Sequence, residues 1–448
     1  MGRFFGTDGV RGIANVELTN DLAYKLGRYG AHVLAEGKKQ IKILIGKDTR
    51  ISGDMLEASL AAGIMSMGGD VVSVGVVPTP AVAYLTRYLG ADAGVVISAS
   101  HNPAEYNGIK FFNKNGYKLA DEIEDKIEKY ILGGLEAESL IDGEHVGIWK
   151  TMPEAYKLYC DHLVGKMDVD FSGLKVAIDC ANGAATTTAA YALSKMNAEV
   201  SALCCQPDGH NINKGCGSTH VELVQNLVKS GDYAIGLAFD GDADRLIAVD
   251  ETGQVVDGDK IMAICANYLK EAGELSKDTI VTTVMSNMGL FESLGSRGIK
   301  IEKTRVGDRY VLEKMLADGY NFGGEQSGHL IFLDHNTTGD GLLSALMLLK
   351  VMKKRGKKLS ELKTIMEAFP QVLINARVDN DKKHDYMEDE VIRQSVKDTE
   401  KFFNGEGRVL VRASGTEPLV RVMIEGKEQD ILEEKAKDLV NLIEKRLG

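Results

Sequence analysis

The chain has 448 residues, of which 44% are hydrophobic and 26% are charged, a composition typical of folded globular proteins rather than of disordered or fibrous ones. Its formal net charge of −12 argues against nucleic acid or an anionic membrane surface as the main partner, because both would repel it. No segment reaches the ~18 to 20 apolar residues of a membrane span, and six cysteines without a CxxC pair favour buried thiols in a reducing compartment. We therefore expect a cytoplasmic protein without a membrane anchor, built from roughly three to four domains.

The first part of the chain alternates between strand and helix patterns. Apolar, β-branched runs predict strands at residues 41–45, 71–77 and 95–97, with helical patterns between them. Ser52 is the expected N-cap of the helix that follows the first of these strands. This alternation is typical of an α/β layer with parallel strands.

Similar strand-turn-helix segments recur later and give way to a different pattern. Strands are predicted at 176–179 and 280–285, each followed by a turn and a helix. We therefore expect three similar α/β domains with mixed, mainly parallel sheets. Beyond Pro370, a charged segment, two strands at 409–412 and 419–423 and an amphipathic final helix predict a smaller C-terminal α+β domain.

Two polar loops in the first domain are candidates for a functional site. The strand at 95–97 runs into Ser-Ala-Ser-His-Asn-Pro at 98–103, which puts two hydroxyls and an imidazole at a strand end, where α/β proteins place chemistry. An ordinary Ser/Asn/Pro turn is the favoured interpretation of that loop taken alone. Arg11 lies in an earlier segment with three glycines, for which an exposed glycine turn is an equally good interpretation.

The motif Asp-Gly-Asp-Ala-Asp-Arg at 240–245 is the strongest local signal for chemistry. Three carboxylates at alternate positions repel one another, and a divalent cation with oxygen ligands, usually Mg²⁺ beside phosphate, offsets that repulsion. A calcium EF-hand shares the spacing but requires glycine where Arg245 stands, and strand patterns rather than helices flank the motif. An aspartyl-phosphate phosphatase with Asp240 as the nucleophile is the other alternative, and it would leave the Ser100 loop without a role.

Two loops in the second half of the chain carry groups suited to a polar ligand. Residues 323–329 combine three glycines with hydrogen-bonding side chains that fit sugar hydroxyls, and a second polar loop at 304–309 could line the same cleft. Residues 412–417, with Arg421 following, place a guanidinium, two hydroxyls and a glycine amide in one turn. These donors suit a phosphate dianion, although a glycine-rich turn and an exposed arginine hairpin are the plain alternatives for the two loops.

Taken together, the four loops resemble those of the α-D-phosphohexomutase superfamily. The resemblance covers residues 5–421 and rests on four motifs in the family's order: Ser-Ala-Ser-His-Asn-Pro, Asp-Gly-Asp-Ala-Asp-Arg, Gly-Glu-Gln-Ser-Gly-His and Arg-Ala-Ser-Gly-Thr-Glu-Pro. It implies four domains around a central cleft, with one motif in each. The expected domains are 1–153 (phosphoserine), 154–253 (metal-binding), 254–367 (sugar-binding) and 368–448 (phosphate-binding).

The resemblance also implies roles for particular residues. Ser100 would carry a phosphoryl group and, together with Asp240, Asp242 and Asp244, would hold Mg²⁺. Lys110 would be the first choice for proton transfer and charge stabilisation. The other side chains expected to line the transfer site are His101, His329 and Arg11.

The remaining residues implied by the resemblance bind the sugar phosphate. Glu325 and Ser327 would bind sugar hydroxyls. The phosphate that does not react would be held by five residues of the last loop and strand: Arg412, Ser414, Gly415, Thr416 and Arg421.

The activity implied is that of a mutase interconverting glucosamine 6-phosphate and glucosamine 1-phosphate through a phosphoserine enzyme and a bisphosphate. Gln326 and the pair Ser98-Ala99 favour the amino sugar, again by resemblance. The alternatives are a phosphomannomutase or phosphoglucomutase with the same machinery, and a non-catalytic phosphosugar-binding protein, which the intact Ser100 and Lys110 disfavour. The expected ligands are a small phosphosugar and a hexose 1,6-bisphosphate activator, with no nucleic acid or membrane partner and a homodimer as the candidate assembly.

Overall fold

The computed structural model describes residues 4–6, 8–38, 40–133, 141–414 and 418–448. The chain divides into two compact units, the first formed by Met1–Met285 with Gly298–Ile365 and the second by Ser286–Arg297 with Met366–Gly448. Three mixed sheets belong to the first unit and an antiparallel sheet to the second, in agreement with the expected three α/β domains and smaller C-terminal domain. None of the helices in the described ranges is long and apolar enough to cross a lipid bilayer.

The first sheet has the spatial order β1-β2-β6-β5-β3-β4-β7. Its strands are β1 (Phe5–Gly6), β2 (Gly9–Ile13), β3 (Lys42–Lys47), β4 (Asp70–Val76), β5 (Ala93–Ile97), β6 (Tyr106–Asn113) and β7 (Trp149–Thr151). Its helices are α1 (Asn20–Leu34), α2 (Gly53–Met65), α3 (Thr79–Tyr88) and α4 (Asp121–Ile131). Because β3 pairs in parallel with both β4 and β5, the carboxyl ends of these predicted strands lie at one edge of the sheet.

Ser52 precedes α2 as expected, but its side chain does not cap the helix. Its Oγ instead accepts a hydrogen bond of 2.9 Å from the side-chain amide of Asn107. The position of the helix start was therefore predicted correctly, whereas the use of the hydroxyl was decided by a neighbour 55 residues away in sequence.

The second sheet has the order β12-β11-β10-β8-β9. Its strands are β8 (Lys175–Asp179), β9 (Glu199–Leu203), β10 (Ile235–Phe239), β11 (Leu246–Asp250) and β12 (Val255–Val256), and its helices are α5 (Ala155–Gly165), α6 (Ala185–Lys195) and α7 (Glu222–Lys229). Strand β8 is parallel to β9 and β10, so the loops that follow these three strands lie at the same edge.

The third sheet has the order β14-β13-β15-β16. Its strands are β13 (Thr279–Thr283), β14 (Lys300–Thr304), β15 (Phe322–Gly324) and β16 (Leu330–Phe332). The helices of this part of the chain are α8 (Gly258–Glu271), α9 (Met288–Gly295), α10 (Asp308–Asp318), α11 (Gly341–Arg355) and α12 (Leu359–Leu362). Although α9 follows β13 in sequence, it belongs to the second compact unit.

The second unit contains an antiparallel sheet with the order β17-β19-β18. Its elements are β17 (Gln371–Arg377), α13 (Glu390–Phe403), β18 (Gly407–Ala413), β19 (Leu419–Gly426) and α14 (Gln429–Leu447). The pair β18–β19 and the final helix confirm the prediction. Strand β17 and helix α13 lie in the part of the chain predicted to be a charged segment. Their hydrophobic pattern is weak because few of their residues are buried; Val372 and Ile392 are two that are.

Candidate active site

Ser100 lies just beyond the carboxyl end of β5, in contact with the loop that follows β10. Its hydroxyl donates a hydrogen bond of 2.7 Å to Oδ2 of Asp240, and its Oγ lies 3.4 Å from Nδ1 of His101. The residue is 2% exposed and has a φ of 52°, in the left-handed region that a residue with a Cβ rarely adopts. Such a backbone persists only where the surrounding structure holds it.

The guanidinium of Arg50 provides much of that support. Its Nη2 donates to the carbonyl oxygens of Ser100 at 2.9 Å and Asn102 at 2.8 Å, and its Nη1 donates to the carbonyl of Tyr106 at 2.9 Å. Its Nε donates over 2.9 Å to Asp48, and both side chains of this ion pair are buried. Nη1 also donates to the carbonyl of Pro103, so one arginine fixes four carbonyls of the Ser100 loop and the start of β6.

Two further side chains complete the support of the loop. The side-chain amide of Asn213 donates to the carbonyls of Ser100 at 2.9 Å and Asn102 at 3.0 Å. The Oγ of Ser98 accepts a hydrogen bond of 2.9 Å from the amide of Ser100 and donates one of 2.5 Å to Asp48. The two serines of the motif thus have different roles, since Ser98 orients the backbone and Ser100 points to the aspartates.

The three aspartates of the motif lie in the turn between β10 and β11. One oxygen of each of Asp240, Asp242 and Asp244 lies within 4.8 Å of the others, and all three residues are buried. A Cβ at Gly241 would lie 2.6 Å from the carbonyl oxygen of Ser100, so glycine permits the close approach of the two loops. The antiparallel pairing of β10 with β11 makes the turn tight enough to gather the carboxylates.

The chemistry of this cluster fits a hard divalent cation. The Oδ1 atoms of Asp242 and Asp244 are buried without a hydrogen-bond partner among the described residues. Burial and the neighbouring carboxylates of Asp244 and Asp242 raise the pKa of Asp240. Burial would also raise the pKa of Asp242, but the ammonium of Lys110 lowers it. Buried carboxylate oxygens that lack donors are the ligands that Mg²⁺ prefers.

Lys110 connects the aspartate cluster to the N-terminal loop. Its Nζ lies 3.2 Å from Oδ2 of Asp242 and 2.8 Å from Oδ2 of Asp8, and the side chain is 3% exposed. The hydroxyl of Thr79 donates to the same oxygen of Asp242 over 2.7 Å. Burial opposes the charged form of Lys110, but the carboxylates of Asp242 and Asp8 outweigh it and raise its pKa. Lys110 therefore presents an ammonium beside the Ser100 loop.

Asp8 is the centre of a network of cations. It accepts contacts from Arg11 at 2.9 Å, from Lys110 at 2.8 Å and from Lys118 at 2.6 Å. Lys118 also contacts Asp308 at 2.6 Å, which links the first sheet to the first residue of α10. Burial would raise the pKa of Asp8, but the lysines and Arg11 lower it well below its usual range. The site therefore combines buried charges of both signs.

His101 lies between Ser100 and Arg245. Its Nδ1 is 3.4 Å from Oγ of Ser100 and 3.3 Å from Nη1 of Arg245. Burial, followed by the positive charges of Arg245 and Arg11, lowers the pKa of His101 to about 4. The neutral ring can thus accept a hydrogen bond from Arg245 and keep that guanidinium near the hydroxyl.

His329 joins the aspartate cluster from the loop between β15 and β16. Its Nδ1 lies 3.3 Å from Asp244 and its Nε2 lies 3.5 Å from Asp308. Burial lowers its pKa, but the carboxylates of Asp244, Asp308 and Glu325 raise it to about 9. The amide of Gly339 points at Nε2 from 3.1 Å and favours a ring with its proton on Nδ1, which can donate to Asp244 in either charge state.

The rest of the loop between β15 and β16 packs against neighbouring loops. Glu325 accepts a hydrogen bond of 3.3 Å from the amide of Gly307, and burial raises its pKa. A Cβ at Gly328, whose φ is 93°, would lie 2.1 Å from the carbonyl oxygen of Leu246, so this contact requires glycine. Ser327 is exposed. The loop thus presents one half-buried carboxylate and one exposed hydroxyl near His329.

The expected phosphate-binding residues lie in the second compact unit. Arg412 on β18 is directly paired with Arg421 on the antiparallel strand β19. The two arginine side chains are therefore attached at neighbouring positions of the sheet. Burial and the charge of Arg421 lower the pKa of Arg412. Ser414 is buried, and its amide donates to the carbonyl of Leu419 over 2.8 Å. Gly415 and Thr416 lie outside the described residues.

The first compact unit brings most of the expected transfer-site residues into one network. Asp48 and Arg50, which the sequence analysis did not single out, could have been found from the pairing of β3 with β5, because Lys47 is the partner of Ile97 and the two loops follow together. Asp308 lies in the polar loop 304–309 that was expected to line the cleft. The other residues that complete the network without having been predicted are Asp8, Lys118, Asn213 and Arg245.

Family models match the chain along nearly its whole length. They are described as phosphoglucomutase/phosphomannomutase alpha/beta/alpha domain I at residues 2–138, domain II at 157–253, domain III at 257–369 and the C-terminal domain at 373–442. The chain is 62% identical over 449 residues to the phosphoglucosamine mutase of Ruminiclostridium cellulolyticum, with 100% of both chains covered.

Solved structures share the fold. A phosphoglucomutase/phosphomannomutase family protein of Burkholderia thailandensis superposes with a TM-score of 0.82 at 24% identity, covering 99% of this chain and 97% of the other. The N-acetylphosphoglucosamine mutase of Aspergillus fumigatus, solved in complex with GlcNAc-6P and magnesium, superposes with a TM-score of 0.71 at 17% identity, covering 100% and 96%.

Proposed function

The chain belongs to the phosphoglucomutase/phosphomannomutase family, and we propose that it interconverts glucosamine 6-phosphate and glucosamine 1-phosphate. The observation that carries this proposal is the hydroxyl of Ser100, which donates to the first carboxylate of a buried three-aspartate cluster. The end-to-end identity to a phosphoglucosamine mutase supports the amino sugar as the substrate. The protein is therefore an enzyme of the mutase class, an intramolecular phosphotransferase.

Ser100 is the proposed carrier of the phosphoryl group. O1 of a hexosamine 6-phosphate attacks the phosphorus of phosphorylated Ser100, the bond between phosphorus and Oγ breaks, and the O1 proton is lost. The resulting 1,6-bisphosphate turns around, and Oγ of Ser100 loses its proton and attacks the 6-phosphoryl group. The bond between that phosphorus and O6 breaks, and O6 takes up a proton. The products are the 1-phosphate and a phosphoserine enzyme ready for the next cycle, so no phosphoryl group is gained or lost.

Cationic and polar side chains are proposed to stabilise the transfer. Phosphoryl transfer is catalysed mainly by positioning and charge neutralisation. Lys110 is our first choice for stabilising the transferred group and for the proton transfer, and its ammonium beside Asp242 supports the first of these roles. The other side chains proposed to line the transfer site are Arg11, His101 and His329.

Mg²⁺ is the proposed metal, held by Asp240, Asp242, Asp244 and phosphorylated Ser100. The buried Oδ1 atoms of Asp242 and Asp244, which lack a hydrogen-bond partner among the described residues, support this assignment. When bound, such an ion neutralises charge on phosphoryl oxygens. Hexose 1,6-bisphosphate is the proposed activator, because it can transfer one phosphoryl group to an unphosphorylated Ser100.

Substrate contacts are proposed on two loops. Glu325 and Ser327 bind sugar hydroxyls in this proposal. The phosphate that does not react binds the residues of the last motif: Arg412, Ser414, Gly415, Thr416 and Arg421. Because the bisphosphate turns around between the two transfers, this set of donors has to accept a phosphate from either end of the sugar.

The domain organisation and the location of the protein remain part of the proposal. We place domain boundaries at 1–153, 154–253, 254–367 and 368–448. The six cysteines are free thiols, which supports a reducing, cytoplasmic location.

The proposal is tested by assaying glucosamine, glucose and mannose 6-phosphates side by side, with Mg²⁺ and a hexose 1,6-bisphosphate. We expect the largest kcat/KM for glucosamine 6-phosphate. A larger value for glucose or mannose 6-phosphate would make the protein a phosphoglucomutase or phosphomannomutase. Binding without turnover of any of the three would make it a phosphosugar-binding protein instead.

A further inference from the structure

A second group of metal-ligating side chains lies at the same edge of the second sheet as the aspartate cluster. Asp179 ends β8, Cys204 follows β9, and Cys216 lies in the loop between β9 and α7. One carboxylate oxygen and the two Sγ atoms all lie within 4.8 Å of one another. Three separate segments of the chain therefore bring potential ligands to one point.

The carboxylate of Asp179 is buried. It accepts hydrogen bonds from the amides of Ala181 at 2.9 Å and Gly217 at 3.0 Å, and it contacts the thiol of Cys204. Within the described ranges, no lysine, arginine or histidine forms an ion pair with it, in contrast to Asp242, which lies beside Lys110. A buried carboxylate without a counter-ion is costly, and two amides offset that cost only in part.

The two thiols beside this carboxylate are arranged as a pair. The Sγ atoms of Cys204 and Cys216 lie within 4.8 Å of each other. The side-chain amide of Asn182, which is not part of the cluster, donates to Sγ of Cys216 over 3.9 Å. Such a hydrogen bond would help to orient this sulfur as a metal ligand. Cys216 is buried, whereas Cys204 is half-buried and gives an ion access from solvent.

We propose that Asp179, Cys204 and Cys216 bind one thiophilic divalent cation, for which Zn²⁺ is the best match. Sulfur ligands favour Zn²⁺ over Mg²⁺, which prefers a shell of oxygens, and three protein ligands leave a fourth position for water. The site is distinct from the Asp240–Asp244 cluster, which offers carboxylate oxygens alone.

A cation at this site would act on the support of the Ser100 loop. The segment between Cys204 and Cys216 contains Asn213, whose amide group donates to the carbonyls of Ser100 and Asn102. The backbone amide of Asn213 also donates over 2.9 Å to the carbonyl of Ala181. A metal bridge from β8 to both ends of this segment would stabilise the structure from which Asn213 reaches the loop.

The test is a titration of the full-length, reduced protein with Cd²⁺ and with Zn²⁺, in excess Mg²⁺ to occupy the aspartate cluster. We expect a thiolate-to-Cd²⁺ charge-transfer absorption that saturates at one equivalent, and a higher unfolding temperature with Zn²⁺. Cys216→Ser should lose both effects. Cys205→Ser changes a cysteine that is adjacent to Cys204 but is not part of the cluster, and it should keep both effects. Asp242→Asn should also keep both effects. Equal absorption in wild type and Cys216→Ser, or no absorption at all, would overturn the proposal.

A second measurement covers the case in which Cys216→Ser does not fold. Wild-type protein is alkylated with iodoacetamide, with and without Zn²⁺, and the labelled cysteines are identified by peptide mass mapping. Cys204 and Cys205 are adjacent and both half-buried, so Cys205 serves as the internal control for Cys204. Zn²⁺ should protect Cys204 and leave Cys205 reactive. Equal labelling of Cys204 with and without Zn²⁺ would contradict the site.

Discussion

Arginine has opposite uses in the Ser100 loop and in the hairpin of β18 and β19. Arg50 is buried, forms an ion pair with Asp48 and donates to carbonyls of the Ser100 loop. Arg412 and Arg421 occupy partner positions across two strands, where their like charges oppose each other. The first arrangement pairs a guanidinium with a carboxylate, and the second places two positive charges across from each other, an arrangement that a bound anion would stabilise.

This difference suggests separate roles for the Ser100 loop and for the hairpin of β18 and β19. Ser100 has a left-handed backbone conformation that must be held in place. Arg50 and Asn213 therefore donate their hydrogen bonds to carbonyls of the protein and not to a ligand. The hairpin is proposed to bind a phosphate that arrives and leaves with the substrate, which would offset the repulsion between Arg412 and Arg421. Changes in the first region should therefore affect kcat and stability, and changes in the second should affect KM.

The largest expected effect is that of Ser100→Ala, which removes the group proposed to react. Turnover should fall by at least about 10³-fold, because no other nucleophile replaces it. The fold should persist, since the loop is held by its carbonyls and not by the hydroxyl. Intact-mass analysis with peptide mapping should find one phosphate on Ser100 of the wild type. Phosphate on Ser98 instead, or wild-type rates in the variant, would refute the assignment.

Asp242→Asn is expected to have the next largest effect. It removes one negative charge from the aspartate cluster and with it the ion-pair partner of Lys110. Activity should therefore fall by roughly 10²-fold or more and lose its dependence on Mg²⁺. Asp232→Asn, an exposed change just before β10, is the matched control and should behave as wild type. An unchanged Mg²⁺ dependence in the Asp242 variant would remove the cluster from the proposed metal site.

Arg50→Lys tests the support of the Ser100 loop directly. Lysine keeps the charge but cannot donate to four carbonyls and Asp48 at once, so kcat should fall by about 10-fold with KM little changed. The free energy of unfolding should fall by roughly 2 kcal/mol. Arg297→Lys is the control, because Arg297 is exposed just after α9 and its guanidinium donates hydrogen bonds to the nearby Ser293 and Ser296. A stability loss with an unchanged kcat would mean that Arg50 supports the fold but not the reaction.

Arg412→Gln should give the smallest change in stability and a selective change in binding. KM for the phosphosugar should rise by about 10-fold, because a charge-assisted contact to phosphate is lost, while kcat changes less. The free energy of unfolding should stay within about 0.5 kcal/mol, since the substitution also relieves repulsion from Arg421. Arg377→Gln, an exposed change on β17, serves as the control. An unchanged KM would contradict the proposed role of the β18–β19 hairpin in binding phosphate.

The fold could be predicted where hydrophobic patterns are strong. The buried strands β3, β5, β8 and β10 are short apolar runs, and their order with the helices gave the α/β class. Strand β17 and helix α13 were missed because each buries only one narrow face. The membership of α9 in the second unit could not be predicted either, because it depends on long-range contacts such as the amide of Met288 with Glu425.

The sequence alone predicted the candidate reactive groups, because motifs such as the one at 240–245 place several polar side chains within a few residues. The tertiary structure decided which groups support them. Asp48, Arg50 and Asn213 are ordinary polar residues in sequence, and they matter because parallel strands and a distant loop bring them to the carbonyls of Ser100. A hydrogen bond depends on distance and direction, and residues far apart in the chain acquire these only when it folds.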